Sequence, residues 1–261
     1  MALHWPSEDI WQAVYPLLPD FTVEVLPEVD STNSELMRRV RAGQTAPVLL
    51  VAERQTAGRG RLGRQWLSDG GTAGAALTFS VALPLAPPDW SGLSLAVGTS
   101  VAESLHPNIR LKWPNDLWLT EAEGDRKLGG ILIETAAVAE QRMVVVGVGL
   151  NIGPRSAEGL ATPPAWLAQL WPEATAPAAL GRLAAPLLQT LLRFERTGFA
   201  PFRTAFEARD ALRGRRVSVL GGSADALDGV ACGVSPGGAL LVQTDACIKE
   251  VTSAEVSVRP A

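Results

Sequence analysis

Residues 110–119, 127–138 and 142–152 are three strand-like runs that follow one another with only short turns between them, leaving no room for the crossover that a parallel pair requires. They are expected to pair antiparallel. The last two are rich in Ile and Val, which suit a pleated, buried surface, and the acidic tip between the first and second (Glu121, Glu123, Asp125) is expected to turn in solvent. Residues 47–53 (PVLLVAE) and 72–83 read as two further buried strands. Thr32 and Glu35 stand at capping-box spacing and should open a short helix ending near Arg41. Residues 90–105 have the length and small-residue content of a packed helix, with Pro84, Pro87 and Pro88 punctuating the turn before it. Residues 177–209 form an Ala/Leu-rich helical stretch interrupted near Gly198 and Pro201. From Arg213 the pattern changes to five short alternating strands around Gly-rich turns, as in a small SH3-like barrel. The expectation is an α+β chain: a mixed or antiparallel sheet packed with helices over 1–211, then a small barrel over 212–261.

A chain of 261 residues with 47% hydrophobic and 19% charged content can bury a large core. Its net charge of −4 argues against a free-standing nucleic-acid binder, whose affinity rests on a basic excess. Cys232 and Cys247 are far apart and outside any C-x-x-C spacing, so neither a metal site nor a disulfide framework is indicated and a reducing cytoplasm fits best. The first residues lack a cationic segment followed by an apolar run, and no stretch of about 18 apolar residues occurs, so a soluble, unprocessed protein is expected.

The chemistry concentrates in four segments. Arg54-Gln-Thr-Ala-Gly-Arg-Gly-Arg-Leu-Gly-Arg-Gln-Trp66 sets Arg59, Arg61 and Arg64 among Gly58, Gly60 and Gly63. Glycine frees the backbone to present N–H donors, and guanidinium forks match phosphate and carboxylate oxygens, so this loop is read as an anion grip. Its Gly-x-Gly-x-x-Gly spacing imitates a dinucleotide fingerprint, but no helix opens within the glycines and no carboxylate follows at about 20 residues, and a P-loop Gly-Lys-Ser/Thr ending is missing too. Lys112-Trp-Pro-Asn-Asp116 holds a lysine, an amide and a carboxylate on a proline-stiffened corner, able to face a polar ligand or a hydrated Mg²⁺. In Lys127-Leu-Gly-Gly-Ile-Leu-Ile-Glu134, Gly129 and Gly130 leave room for close approach, with the Lys127 ammonium at the mouth. Gly147-Val-Gly-Leu-Asn151-Ile ends a strand on an amide able to read a base edge. Each has a plain structural reading: a solvated basic hairpin, a turn, a bulge, a capped strand end.

Taken in order, and with Asp30-Ser-Thr-Asn33 before them, these segments resemble those of the biotin protein ligases over roughly residues 24–259. The resemblance implies a class II synthetase-like catalytic domain followed by an SH3-like barrel. It also implies a two-step reaction: biotin and MgATP give biotinyl-5′-AMP and pyrophosphate, and one lysine of a biotin carboxyl carrier domain, of acetyl-CoA carboxylase or a related carboxylase, then takes the biotin. It assigns Ser31, Thr32, Asn33, Gln55, Gly58, Arg59, Arg61, Lys127, Gly129 and Gly130 to biotin, with apolar residues such as Ile131 lining the cavity. Arg61, Arg64, Trp66, Lys112, Asn115 and Asn151 go to the nucleotide, Asp116 to Mg²⁺ or the incoming lysine, and Arg59, Arg61, Lys127 and Asp116 to catalysis. The Gly58–Arg64 loop is expected to fold over its ligand.

About twenty residues precede the catalytic region, too few for the winged helix-turn-helix of many bacterial members, so no operator binding and no DNA partner are expected. In the barrel, Thr252-Ser-Ala replaces a frequent glycine and leaves Lys249 and Arg259 as weak candidates there. The oligomeric state stays open between monomer and homodimer. A lipoate ligase or octanoyl transferase of the same superfamily is the nearest alternative, yet octanoyl transfer wants a nucleophilic cysteine and both cysteines fall in the barrel segment. A non-catalytic adenylate sensor would not need the loop, Lys112 and Lys127 together. His4 and His106 fall in none of the candidate segments, consistent with catalysis by positioning and charge neutralisation.

Overall fold

A computed structural model describes residues 3–67, 74–121, 124–160, 162–220, 227–252 and 257–260. Its first half runs α1 (Ser7–Val14), β1 (Thr22–Val29), α2 (Thr32–Arg41), β2 (Val48–Gln55), β3 (Ala76–Pro84), α3 (Leu93–Leu105), β4 (Arg110–Lys112), β5 (Asp116–Glu121), β6 (Gly124–Val138) and β7 (Gln141–Asn151). After α4 (Ala176–Thr197) and α5 (Arg203–Glu207) come β8 (Arg216–Leu220), β9 (Leu227–Val234), β10 (Leu240–Gln243), β11 (Ile248–Val251) and β12 (Ser257–Pro260). Strands β1 to β7 form one sheet in the order β1-β2-β3-β7-β6-β5-β4. All its pairs are antiparallel except β1 with β2, which α2 connects as a crossover. Strand β1 and helix α1 carry no clear signature in the sequence: Pro27 and the alternating Glu24 and Glu28 dilute the strand pattern, and α1 is only 8 residues long.

Two-residue alternation sends each strand's side chains to opposite faces. Leu49 and Val51 of β2, Leu77, Phe79, Val81 and Leu83 of β3, and Val144, Val146, Val148 and Leu150 of β7 enter the large core beneath α1, α3 and α4. Burying each such side chain contributes roughly 1.5–3 kcal/mol. Helix α4 meets this face with Leu180, Leu183, Ala184, Leu187, Leu188, Leu191 and Phe194, the 3–4 spacing of one helical stripe. On the other face a smaller cluster joins Leu36, Met37 and Val40 of α2 to Val48, Leu50, Ala82, Met143 and Val145.

Three local expectations change. Helix α2 is capped by Ser31, whose hydroxyl accepts from Ser34 N, and the hydroxyl of Thr32 instead bonds Gln55 while the Glu35 carboxylate holds Arg38 and Arg39. The acidic tip is not simply solvated: Asp125 pairs with Arg215 at 2.7 Å and Glu121 pairs with Arg126, with Glu123 outside the described residues. The 110–119 run is two strands folded at the Trp113-Pro114 corner, where the peptide bond is cis.

Strands β8 to β12 form a second, wholly antiparallel sheet in the order β11-β10-β9-β8-β12 around Val217, Val219, Ala231, Val234, Leu240 and Val242. Among the described residues β11 and β12 are the two outer strands and do not pair with each other. The second sheet is fastened to the first. Residues 209–211 run beside β4, with Leu111 N donating to Arg209 O and Ala211 N to Leu111 O. Buried Trp113 donates its indole N–H to Gly238 O at 3.0 Å, and Gly238 lies so close to α3 that a Cβ there would stand 2.8 Å from Gly92 Cα. No helix of the described residues is long and apolar enough to cross a membrane.

Candidate functional site

The sheet face beneath α2 is apolar at one end and loses its large side chains toward the other. On β7, Met143 and Val145 pack under α2, and the next two positions on that face are Gly147 and Gly149. On β3, Ala82 is followed by Ser80 and Thr78. Where the side chains shrink, a cavity of ≈ 530 Å³ opens. Its wall is completed by the start of α2, the end of β2, loop 59–67, the Lys112–Asp116 corner, the mouth of β6, Asn151 at the end of β7, and Arg155, Leu160 and Pro164 beyond it, with Val258 of β12 reaching it from the second sheet.

One end is lined by uncharged polar groups that bond one another and, through Asn33, the carboxylate of Glu134 behind them. Gln55 Oε1 accepts from Thr32 N at 2.8 Å and from Thr32 Oγ1 at 3.1 Å. Ser80 Oγ lies 2.7 Å from Thr32 Oγ1 and 2.6 Å from Asn33 Oδ1, so its one hydroxyl proton is shared between them. Asn33 Nδ2 donates to Leu132 O and Glu134 Oε2 at 3.3 and 3.0 Å. A Cβ on Gly147 would fall 2.1 Å from Asn33 Oδ1, which is why this strand carries glycine there.

The opposite end is ionic. Lys127 Nζ stands 2.6 Å from Asp116 Oδ1, and Lys112 Nζ 4.0 Å from Asp116 Oδ2 and 4.9 Å from the Trp118 ring centre. Asn115 bolts this corner to β6: its Nδ2 donates to Ile131 O at 2.8 Å, and Ile131 N returns a bond to Asn115 O at 2.9 Å. Arg61 reaches Asn115 Oδ1 at 3.4 Å. Burial lowers the pKa of Arg61, opposed by Asp116 and reinforced by Arg64.

Loop 58–66 closes over both ends as a small hairpin, with Gly60 N donating to Arg64 O at 2.7 Å and Trp66 N to Gly58 O at 2.9 Å. Its tip turns through the left-handed region at Leu62 (φ 56°) and Gly63 (φ 70°). For Leu62 that conformation carries steric cost. Arg59 crosses to Glu134 at 3.2 Å. Trp66 lies flat against β7, where a Cβ on Gly149 would come within 2.5 Å of its ring, and its buried indole N–H has no partner among the described residues.

Ser31, Thr32, Asn33, Gln55, Arg59, Arg61, Arg64, Trp66, Lys112, Asn115, Asp116, Lys127, Gly130 and Asn151 thus converge on one cavity, with Ile131 beside them. Gly58 and Gly129 do not line it. A Cβ on Gly58 would meet Trp66 O at 2.3 Å, and one on Gly129 would meet Gly149 O at 2.5 Å, so both glycines permit close packing next to the site. Lys249 is exposed on β11 away from the cavity, whereas the Arg259 side chain and residues 253 and 254 lie outside the described residues. Asn151 is already engaged: its amide donates to Lys127 O at 3.2 Å and Ala165 O at 2.8 Å, and its oxygen accepts from Arg155. Sequence reasoning missed Ser80, Glu134 and Arg155 as site residues. A serine inside a strand and a Gly-Pro-Arg just after Asn151 were the available signals. None of His4, His106, Cys232 and Cys247 is on the cavity wall.

Residues 25–151 match the biotin/lipoate A/B protein ligase family, and residues 213–259 match the biotin protein ligase C-terminal domain. The bifunctional ligase/repressor BirA of Escherichia coli (strain K12) is 36% identical over 249 residues, covering 92% of this chain and 75% of that protein. The biotin–[acetyl-CoA-carboxylase] ligase of Paracoccus denitrificans is 30% identical over 252 residues, covering 89% and 98%. The solved biotin protein ligase from Aquifex aeolicus in complex with biotin and ATP superimposes with a TM-score of 0.76 at 30% identity, covering 92% of this chain and 99% of that one.

Proposed function

The chain belongs to the biotin protein ligase family, and on that premise we propose that it activates biotin with ATP and transfers it to one lysine of a biotin carboxyl carrier domain, in the cytoplasm. One observation carries the reading: a single cavity whose uncharged, internally bonded end passes into a cluster of Lys112, Lys127, Arg61 and Asp116 under an arginine-bearing loop. A ring with neutral donors and acceptors and a tail ending in an anion matches that gradient.

Thr32 and Asn33, held by Ser80, and Gln55, held by Thr32, face the ureido ring, and Ile131 flanks the tail. The carboxylate arrives beside Lys127. In the first step a carboxylate oxygen bonds to the α-phosphorus of ATP and the bond to the bridging oxygen breaks, releasing pyrophosphate. Lys127 and Arg61 neutralise the charge gathering at the transferred phosphoryl group, worth several kcal/mol in a site shielded from water. Trp66 walls the base, and the free lone pair of Asn151 Oδ1 can accept from an exocyclic amine. In the second step the carrier lysine attacks the acyl carbon, AMP departs, and the amine sheds one proton, for which Asp116 is the nearest carboxylate on the wall.

Asp116 is the one carboxylate lining the cavity among the described residues, and no cluster of three acidic, His or Cys ligands occurs among them. That donor set fits a Mg²⁺ held by Asp116 together with phosphate and water oxygens, where it would neutralise phosphate charge. We divide the chain at 211/212 into a catalytic part and a C-terminal part, with Val258 and the Trp113 bond linking the second to the site.

Incubation with labelled biotin, MgATP and a carrier domain tests the reading. Biotin-dependent pyrophosphate release and a carrier that becomes streptavidin-reactive are expected. A protein that charges the carrier with lipoate or octanoate and ignores biotin would overturn it.

A further inference from the structure

Neither step of the proposed reaction gives Arg155 a role. It follows the Gly153-Pro154 turn after β7 and lines the cavity, partly buried. Its two terminal nitrogens reach different elements: one donates to Asn151 Oδ1, the other to Leu67 O at 2.5 Å. Its guanidinium carbon stands 5.7 Å from the Trp66 ring centre. Both hydrogen-bond partners are neutral oxygens, and among the described residues no carboxylate pairs with it. Burial lowers its pKa and nothing offsets that. A desolvated cation with neutral partners is costly to keep, and the cost falls when an anion shares the cavity.

The planar fork explains why arginine stands here. Two divergent donors bridge two oxygens at fixed separation, which one ammonium cannot do. The oxygens belong to the end of loop 58–67 and the end of β7, so the side chain pins the loop where Trp66 covers Gly149. The uncharged end of the cavity, made by α2, β2 and β3, has no share in these contacts.

We propose that Arg155 is a positioning residue for nucleotide: it clasps the arginine-bearing loop to the end of β7, and the clasp tightens when the phosphates of the nucleotide supply the countercharge that no described residue gives it. This rests on the ATP-dependent reading above.

Arg155→Ala and Arg155→Lys test it, with three readouts. In ligand-free protein, amide hydrogen exchange at Gly60 and Trp66, whose N–H groups hold the loop hairpin, is expected to speed up about tenfold in Arg155→Ala, the loss of roughly one charge-assisted hydrogen bond. The MgATP KM for biotin-dependent pyrophosphate release is expected to rise by a similar factor, while biotin affinity without nucleotide stays within about threefold of wild type. Arg155→Lys, which keeps charge and most of the packing, is expected to recover part of the KM without restoring slow exchange, and it decides the matter if Arg155→Ala does not fold. Unchanged exchange, an unchanged MgATP KM, or an equal loss of biotin affinity would each overturn the clasp. If wild type releases no biotin-dependent pyrophosphate, the ligase reading fails, and the exchange arm still judges the clasp.

Discussion

The floor of the cavity and its covering loop are built on opposite principles. The floor consists of buried neutral groups that satisfy one another: Thr32, Asn33, Gln55 and Ser80 are each at most 8% exposed and joined by short bonds. Such a network has one low-energy arrangement and pays its ordering cost during folding. The loop is solvent-facing, carries arginines, turns through a left-handed leucine, and is pinned by Arg59 to Glu134, Arg61 to Asn115 and Arg155 to Leu67. Few apolar contacts hold it, so its opening costs far less than unfolding the floor. Recognition of a neutral ring can therefore be set in advance, while charge is gathered around an anion as it arrives.

Four changes probe that contrast. Lys127→Ala, at the ionic end, is expected to slow biotin-dependent pyrophosphate release by about 10²–10³-fold, the loss of one preorganised charge contact, with a much smaller change in biotin affinity by calorimetry. Ser80→Ala attacks the floor: leaving Asn33 Oδ1 without its hydroxyl donor should lower unfolding stability by about 1–3 kcal/mol, read as a fall in denaturant midpoint. Gly149→Ala pushes Trp66 off the strand and is expected to raise the MgATP KM about tenfold, or roughly 1.4 kcal/mol, with the melting temperature showing whether the strand itself survives. Arg59→Ala breaks an ion pair whose arginine is half exposed, so stability should move by less than about 0.5 kcal/mol, while labelled biotinyl-adenylate leaks faster through a filter assay. Loss of stability in Arg59→Ala with normal retention of the adenylate would reverse the roles assigned to floor and loop.

The parts legible in the sequence were those fixed by local chemistry. The Gly/Arg loop, the Lys-Trp-Pro-Asn-Asp corner and the Val-rich β7 announce themselves through glycine spacing, proline and period-two apolar runs, and their residues do meet in one cavity. What stayed hidden depended on distant partners. Strand β1 carries Thr22, Val23, Val25 and Val29, but Pro27 and two glutamates interrupt the run, and it is stabilised by pairing with β2 over 7 positions, from Thr22↔Val48 to Val29↔Gln55. Asp125 read as a solvated turn because nothing nearby in sequence foretells Arg215, some 90 residues on. Thr32 fits a capping box by spacing, yet Gln55, brought alongside by the same β1-β2 pairing, claims its hydroxyl and leaves the cap to Ser31. Gly129 and Gly130 are equivalent on paper, and strand alternation alone decides that one packs within the sheet and the other opens onto Lys127.

The bond from Trp113 to Gly238 makes the tail of the chain a buttress for the lysine–aspartate corner. With the indole anchored there and glycine meeting glycine at Gly238 and Gly92, this joint has no slack, and an inserted methyl group would act as a wedge. Damage far from any ligand, on the outer strands after Arg216, could thus mute the chemistry by tilting one tryptophan.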